Sequence, residues 1–340
     1  MKARQLTLLA VVVVALLALN MFQKSSHRKS VSRSDTAAVL DVDINVDQIN
    51  RVTVSQGNDS TRVVLERLPD RWVTRSAWGH SADTRKVTEL IEALNSLRGE
   101  FRSESAEVLA DYGLGSEAEA TPVTVTLYGN EWSEVASLEM GSQSPSGGVF
   151  VREPGSDTAY LSRTNVLGKL GMWNGPSRPE NRTFLNLDVF ECDRNDIRTI
   201  SLFTDSTTLV LEKSFAEPDS SGYVDFSSWE WMLTSPERMA LAKTKVDGIM
   251  NAMTKLQAAD IDDPKANWES YGLWKAARRV EIGMADGSTF ELRWGLIREK
   301  AEGVQDGVYV MTSKDKTIWV IREFKADQIF KSLEDLLPDA

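Results

Sequence analysis

One cysteine, Cys192, and two histidines, His27 and His80, are all that a 340-residue chain holds of the residue types most used in metal binding and nucleophilic chemistry. A single cysteine excludes any intrachain disulfide, so cysteine usage is silent on the compartment. Set between Phe190 and Asp193, Cys192 reads as a packed small side chain rather than a nucleophile. His27 and His80 leave Ser-His-Asp, Cys-His and histidine-based zinc arrangements short of parts. Also lacking is a phosphate cradle. The Gly- and Ser-rich stretch GSQSPSGG at 141–148 has no Lys-Ser/Thr after it and no helix start, and it reads as a hairpin loop.

The acids are plentiful but poorly placed for a metal. DVDINVD at 41–47 sets Asp41, Asp43 and Asn45 at calcium-loop spacing, yet Val46 stands where the loop needs glycine and Val52 where it needs a bidentate glutamate. An exposed acidic edge alternating with Val42, Ile44 and Val46 is expected there, as protection against edge pairing. Asp260, Asp262 and Asp263 cluster more densely and are the weak candidates for a divalent cation; a solvated turn before Pro264 is the expectation. Among the acids no pair stands out for glycoside hydrolysis. No catalytic residue and no cofactor is expected.

What the sequence does have begins with an uncharged run, LTLLAVVVVALLALNMF at residues 6–22, at the short end of the roughly 17–25 residues that cross a hydrocarbon core. It lacks a small-x-small cleavage triplet, so a retained transmembrane anchor is expected after a short leader at 1–5. Lys24, Arg28, Lys29 and Arg33 follow it in a Ser-rich tether, 23–40. The bulk of the chain is expected outside the cytoplasm, on a single-pass inner-membrane protein, because long following domains translocate largely regardless of charge. Six of the 39 Lys and Arg fall in the first 33 residues, where there is no acid, which leaves 33 basic against 50 acidic residues in the body. So acidic a body is an improbable partner for nucleic acid.

The organisation of that body is a duplication. Tyr-Gly-Leu occurs at 112–114 and again at 271–273, and the offset that aligns the two also aligns Trp72 with Trp231, Val87 with Val246, Leu97 with Leu256, GVFV at 148–151 with GVYV at 307–310, and TAYL at 158–161 with TIWV at 317–320. Upstream the offset shortens, as VLER at 64–67 meets VLEK at 210–213, with an insertion in SFAEPDSSGYVDFSS between. Two α+β modules are therefore expected, at 41–175 and 194–340, joined by a linker at 176–193. Each opens with three antiparallel strands and continues with an amphipathic helix. In the first copy Val87, Leu90, Ile91, Leu94 and Leu97 share a face, Ser81 or Asp83 caps the start and Gly99 ends it. Hairpins through Gly129-Asn130 and Asp286-Gly287, two further strands and a closing helical stretch follow.

Trp72, Tyr112, Gly113, Leu114, Trp231, Tyr271, Gly272 and Leu273 are thus expected to be structural, with each glycine at a positive-φ bend and Tyr and Leu docked between helix and sheet. Of the ten tryptophans, Trp72, Trp231 and Trp319 fall at repeat-register core positions; Trp78, Trp132, Trp229 and Trp274 are the ones to examine as a sugar-binding face.

The apolar N-terminus, LADYGL at 109–114, GGVFVRE with DTAYL, and the join FLNLDVFECDRNDIRTISL together resemble domain of unknown function 4340, a family of bacterial envelope proteins. The resemblance spans Ile44 onward and implies a part beside gliding-motility-type ABC transport systems, with no catalytic residues to transfer. The second copy departs from the pattern: no proline follows its Tyr-Gly-Leu, and its loop at 295–307 is longer. The function expected is a membrane-anchored, non-enzymatic module that docks an envelope or transporter protein, with polysaccharide binding as the alternative and a cryptic hydrolase behind both.

Overall fold

The computed structural model describes residues 36–338 apart from 58–61, 218–219, 223, 225, 227–228, 300 and 302–303. Residues 6–22, expected to form a transmembrane helix, and most of the tether lie outside the described residues. Among those described, no helix is long and apolar enough to cross a membrane. The expected α+β balance is corrected: among the described residues strands take 39% and helices 19%, in three antiparallel sheets of ten, nine and two strands. The physical reason is that each copy spends one long segment on a helix, whereas alternation of apolar and polar residues carries the rest into strands. The closing stretches, read as helical, make a single turn at Val166–Lys169 and two short pieces at Glu323–Ile329 and Leu333–Leu336.

The duplication is visible strand by strand. From one edge, the ten-stranded sheet runs Thr36–Ala38, Arg98–Ser103, Ala159–Ser162, Val149–Arg152, Glu134–Gln143, Val123–Tyr128, Arg51–Gln56, Val63–Arg67, Trp72–Thr74 and His80–Ser81. The nine-stranded sheet repeats that order as Asp260–Asp262, Ile318–Ile321, Gly307–Thr312, Thr289–Arg298, Arg278–Met284, Ile197–Phe203, Thr208–Phe215, Trp229–Ser235 and Met239–Ala240. The small sheet is the missing corner of the second copy: Asp188–Glu191 pairs with Lys255–Gln257 as Thr36–Ala38 pairs with Arg98–Ser103. Where the first copy has one strand, the second breaks between Gln257 and Asp260. There Ala258 N–H donates to Leu187 O and Ala259 N–H to Val320 O, so the ladder changes partner. Thr36–Ala38 lies within the stretch read as tether, and Asp188–Glu191 within that read as linker; both belong to the folded units.

One face of each sheet packs on its long helix. Thr84–Asn95 buries Val87, Leu90, Ile91 and Leu94, and its N-cap Asp83 accepts from Arg85 N–H and Lys86 N–H at 3.1 and 3.3 Å. Lys243–Met253 buries Val246, Ile249, Met250 and Met253 in the same way. Gly99, expected to stop the first helix, is instead inside a strand, where a Cβ would lie 2.6 Å from Tyr160 Cβ; Ser96 forms the cap. Two other local expectations are corrected. The Gly129-Asn130 turn is longer than two residues, with Glu131 and Trp132 both left-handed at φ 53° and 59°. The acidic stretch 41–45 is not a strand edge: Asn45 caps the turn Val46–Gln48, and buried Ile44 donates its N–H to Asn95 Oδ1 at 2.8 Å.

Candidate functional site: the cleft between the modules

The repeat signature occupies like surroundings in both copies. Trp72 and Trp231 are buried, and each lies opposite a cation, Arg67 or Lys213. Arg67 Nη1 donates to Asp47 O at 3.0 Å and Lys213 Nζ to Arg194 O at 2.9 Å, so each cation clips the loop that enters its module's first long strand. Gly113 and Gly272 have φ of 70° and 69°. Their neighbours meet an aromatic ring at like distance: Tyr112 stacks on Phe150 at 4.4 Å, and Tyr271 lies tilted against Tyr309 at 4.5 Å. The docking place differs from the expected crevice between helix and sheet. Leu114 gathers with Leu109 and Ala159, and Leu273 with Met311 and Ile318, in small clusters separate from the helix-bearing cores. Phe150 and Tyr309 point away from the helix because Val149, Val151, Val308 and Val310 on either side point toward it.

Of the candidate metal ligands, Asp260 and Asp262 lie on a strand and face Arg298 at 3.2 and 3.6 Å, while Asp262 also accepts from Tyr271 Oη at 3.1 Å. The Asp263 side chain turns away and accepts from Lys265 N–H at 2.9 Å, while its backbone N–H donates to Asp262 Oδ1 at 2.8 Å. Among the described residues no set of three His, Cys, Asp or Glu is placed to hold a metal ion. The four tryptophans proposed as a sugar face are dispersed. Trp78, Trp132 and Trp274 are exposed, at 49%, 50% and 60%. Trp78 stands between the modules, Trp132 lies under Arg51, Trp274 lines a hollow with Phe203 and Arg279, and Trp229 is half-buried between Lys213 and Lys243.

Trp78 lines a concave feature at the junction of the modules. The loop Arg75–Ala77 brings Ala77 into the second module's core, where it is buried. Adjacent linker residues divide between the two cores, Phe184 entering the first and Leu185 the second. Asn181 accepts from Ser76 Oγ at 2.5 Å, and Asp83 N–H and Asn186 N–H bond Phe184 O and Ser81 O at 2.7 and 2.9 Å. His80 donates from Nε2 to Asn186 O at 2.8 Å and sets its ring edgewise on Trp319 at 5.1 Å. The turn ends at buried Ala77, and Trp78 caps it at φ 54° with its ring half exposed. Two cavities adjoin it. One of about 450 Å³ is lined by His80, Arg71, Asp262 and Asp315; the other, of about 280 Å³, by Arg178, Arg182, Arg298, Glu180 and Asp260.

Burial lowers the pKa of the His80 imidazole, partly opposed by its bond to Asn186 and by the charge of Asp315, so the ring is neutral near pH 7. Elsewhere burial, then Arg198 and Arg194, lowers the Lys213 ammonium to about 8. Burial, then Asp196 and Asp193, pushes the Cys192 thiol up to about 11, away from thiolate chemistry. Burial and the negative charge of Asp262 also raise the Tyr271 phenol. The junction therefore offers an exposed ring face, guanidinium groups and carboxylates, the parts of a recognition surface.

Arg178, Arg298 and Asp315 were not legible as site residues, since they come from the linker, a strand and a turn that only folding brings together. The available signal for Arg298 was the departure of 295–307 from the first copy. Two like sheet-and-helix units closed over a shared cleft define a duplicated antiparallel-β protein. The family described as domain of unknown function, DUF4340, matches residues 72–219 and 231–339, one match on each copy, and the chain belongs to that family. No curated protein matches it, and no solved structure does.

Proposed function

We propose that the protein is a non-enzymatic interaction module of the cell envelope, held at the inner membrane by residues 6–22, which docks an envelope or transporter protein at the cleft between its two modules. The observation that carries this reading is Trp78: a large apolar side chain, half exposed, kept in a left-handed conformation at the rim of the two junction cavities. Bulky residues rarely hold positive φ, and such conformations gather at ligand clamps and binding sites. The membrane attachment rests on the sequence of 6–22 alone, and the part beside an ABC transport system on family resemblance. Dispersal of Trp78, Trp132 and Trp274 disfavours the polysaccharide alternative, which needs rings in line along one face.

The test is a photo-crosslinking amino acid placed at position 78 of the full chain and activated in cells. A discrete adduct with a membrane protein, missing when the crosslinker replaces exposed Trp132, is the expected result. Recovery of the uncrosslinked monomer from both positions contradicts docking at the cleft.

A further inference from the structure

We infer that the smaller junction cavity receives a carboxylate borne on a short apolar body, the chemistry of a peptide C-terminus or of a free organic acid. This rests on the reading of the junction as a docking site. Three arginines and two carboxylates line the cavity, within a chain whose body holds 50 acids against 33 bases. Arg182 pairs with Glu180, and Arg298 with Asp260 at 3.2 Å and with Asp262, on the neighbouring cavity, at 3.6 Å. The commitment of Arg298 is incomplete. Its side chain is only 11% exposed, yet Nη1 is buried without a hydrogen-bond partner. A guanidinium keeps its charge and its five donors at any ordinary pH, and a donor buried unmet is costly. Arg178 makes no hydrogen bond or ion pair with any described residue.

Arg178, which is exposed, supplies a fork of donors suited to an oxyanion, and the Arg298 guanidinium adds its charge to the same wall. Among the residues that line the cavity the excess is a single positive charge, which matches a carboxylate; a dianionic phosphate would also face Glu180 and Asp260. Trp78, Leu185 and Ile261 complete the wall with apolar surface. At about 280 Å³ the cavity lies just below the usual range for drug-sized ligands, and suits a group near the size of one amino-acid residue. The duplication supplies a control on this reading. Where the second copy has Asp260 and Asp262, the first has Phe101 and Ser103, and the strand Glu134–Gln143, equivalent to Thr289–Arg298, contains no arginine. The fold forms without the Arg298 group, so the group answers to something other than the fold.

The test is isothermal titration of the full-length protein in detergent with N-acetyl-leucine, N-acetyl-leucinamide and inorganic phosphate. The acid is expected to bind with a Kd on the order of millimolar. At a pH of about 8 the amide is uncharged and phosphate largely dianionic, so each should bind about tenfold more weakly or worse. Arg178→Ala, which disturbs no internal bond, should weaken the acid by about tenfold, and Trp78→Ala should weaken it as well. A leucine-ended hexapeptide that binds more tightly than N-acetyl-leucine assigns the chemistry to a chain terminus, and equal binding assigns it to a free acid. Equal affinity for acid and amide, tighter binding of phosphate, no heat from the acid up to on the order of 50 mM, or indifference to Arg178→Ala overturns the inference. Crosslinking from position 78 can succeed whatever this titration returns, so the two failures are distinguishable.

Discussion

Gly113 shows how much one missing side chain decides. At φ 70° a Cβ would sit 2.7 Å from Ser142 N, and at Gly272, φ 69°, it would sit 2.8 Å from Leu296 Cγ. The chain leaves the tyrosine, turns, and lays its backbone against the long strand; on that strand Gly141 and Gly295 let Tyr112 O and Tyr271 O approach. Gly113→Val combines a left-handed β-branched residue with a clash against backbone, a cost of about 2–4 kcal/mol. Thermal unfolding should show the first module destabilised, and Gly113→Ala should cost less. An unchanged melting transition for the valine variant contradicts the role assigned to this corner. The exposure and left-handed conformation of Trp78, directly after buried Ala77, belong to the same scale.

At the scale of elements, the copies share a strand order but differ in what braces the strands. In the first, Glu139 and Arg152 lie opposite each other on adjacent strands and form a buried bidentate pair at 3.1 and 3.0 Å. Gly115 N–H donates to the same carboxylate. The second copy sets Arg293 opposite Met311 and sends the arginine to Glu291. A buried pair contributes little over an apolar one of like shape, whereas removing one partner strands a charge. Arg152→Met alone is therefore expected to cost about 3–5 kcal/mol. Adding Glu139→Leu should restore much of the loss, and the measurement is a double-mutant cycle by urea denaturation. Additive costs would show that the pair does not act as a unit.

Across the whole molecule, the modules are joined by interleaved parts: Ala77 reaches the second core, Phe184 and Leu185 divide between the two, and His80 sits against Trp319. His80 is the described group whose charge would disturb this joint at mild acidity. Its folded pKa lies below the ordinary 6.5 because burial disfavours the cation, so the unfolded chain binds the proton more readily. Stability from this group is present above about pH 6.5 and is lost as pH falls toward the lowered folded value, with a slope bounded by one proton, about 1.4 kcal/mol per pH unit. Asp315 opposes the shift, and Arg71 and Asp262 line the same cavity. His80→Gln should flatten the wild-type decline between pH 7 and 5, read as urea midpoints. Proteolysis of the 176–193 linker should rise over the same interval in the wild type alone. Identical pH profiles for the two proteins would remove His80 from the joint.

Much of this architecture was written in order along the chain. Duplication, the opening strands, the long helices, the buried Trp72 and Trp231 and the positive-φ corners at Gly113 and Gly272 all follow from local pattern, because alternation, helical period and a glycine's freedom act over a few residues. The balance of strand over helix, the sheet face on which Tyr112 and Leu114 dock, the pairing of Asp260 and Asp262 with Arg298, and the cleft at Trp78 were settled by tertiary structure. Each depends on residues far apart in sequence arriving at one place. No local period encodes that arrival; it is set by which faces must be buried once two sheets, two helices and the segment between them pack together.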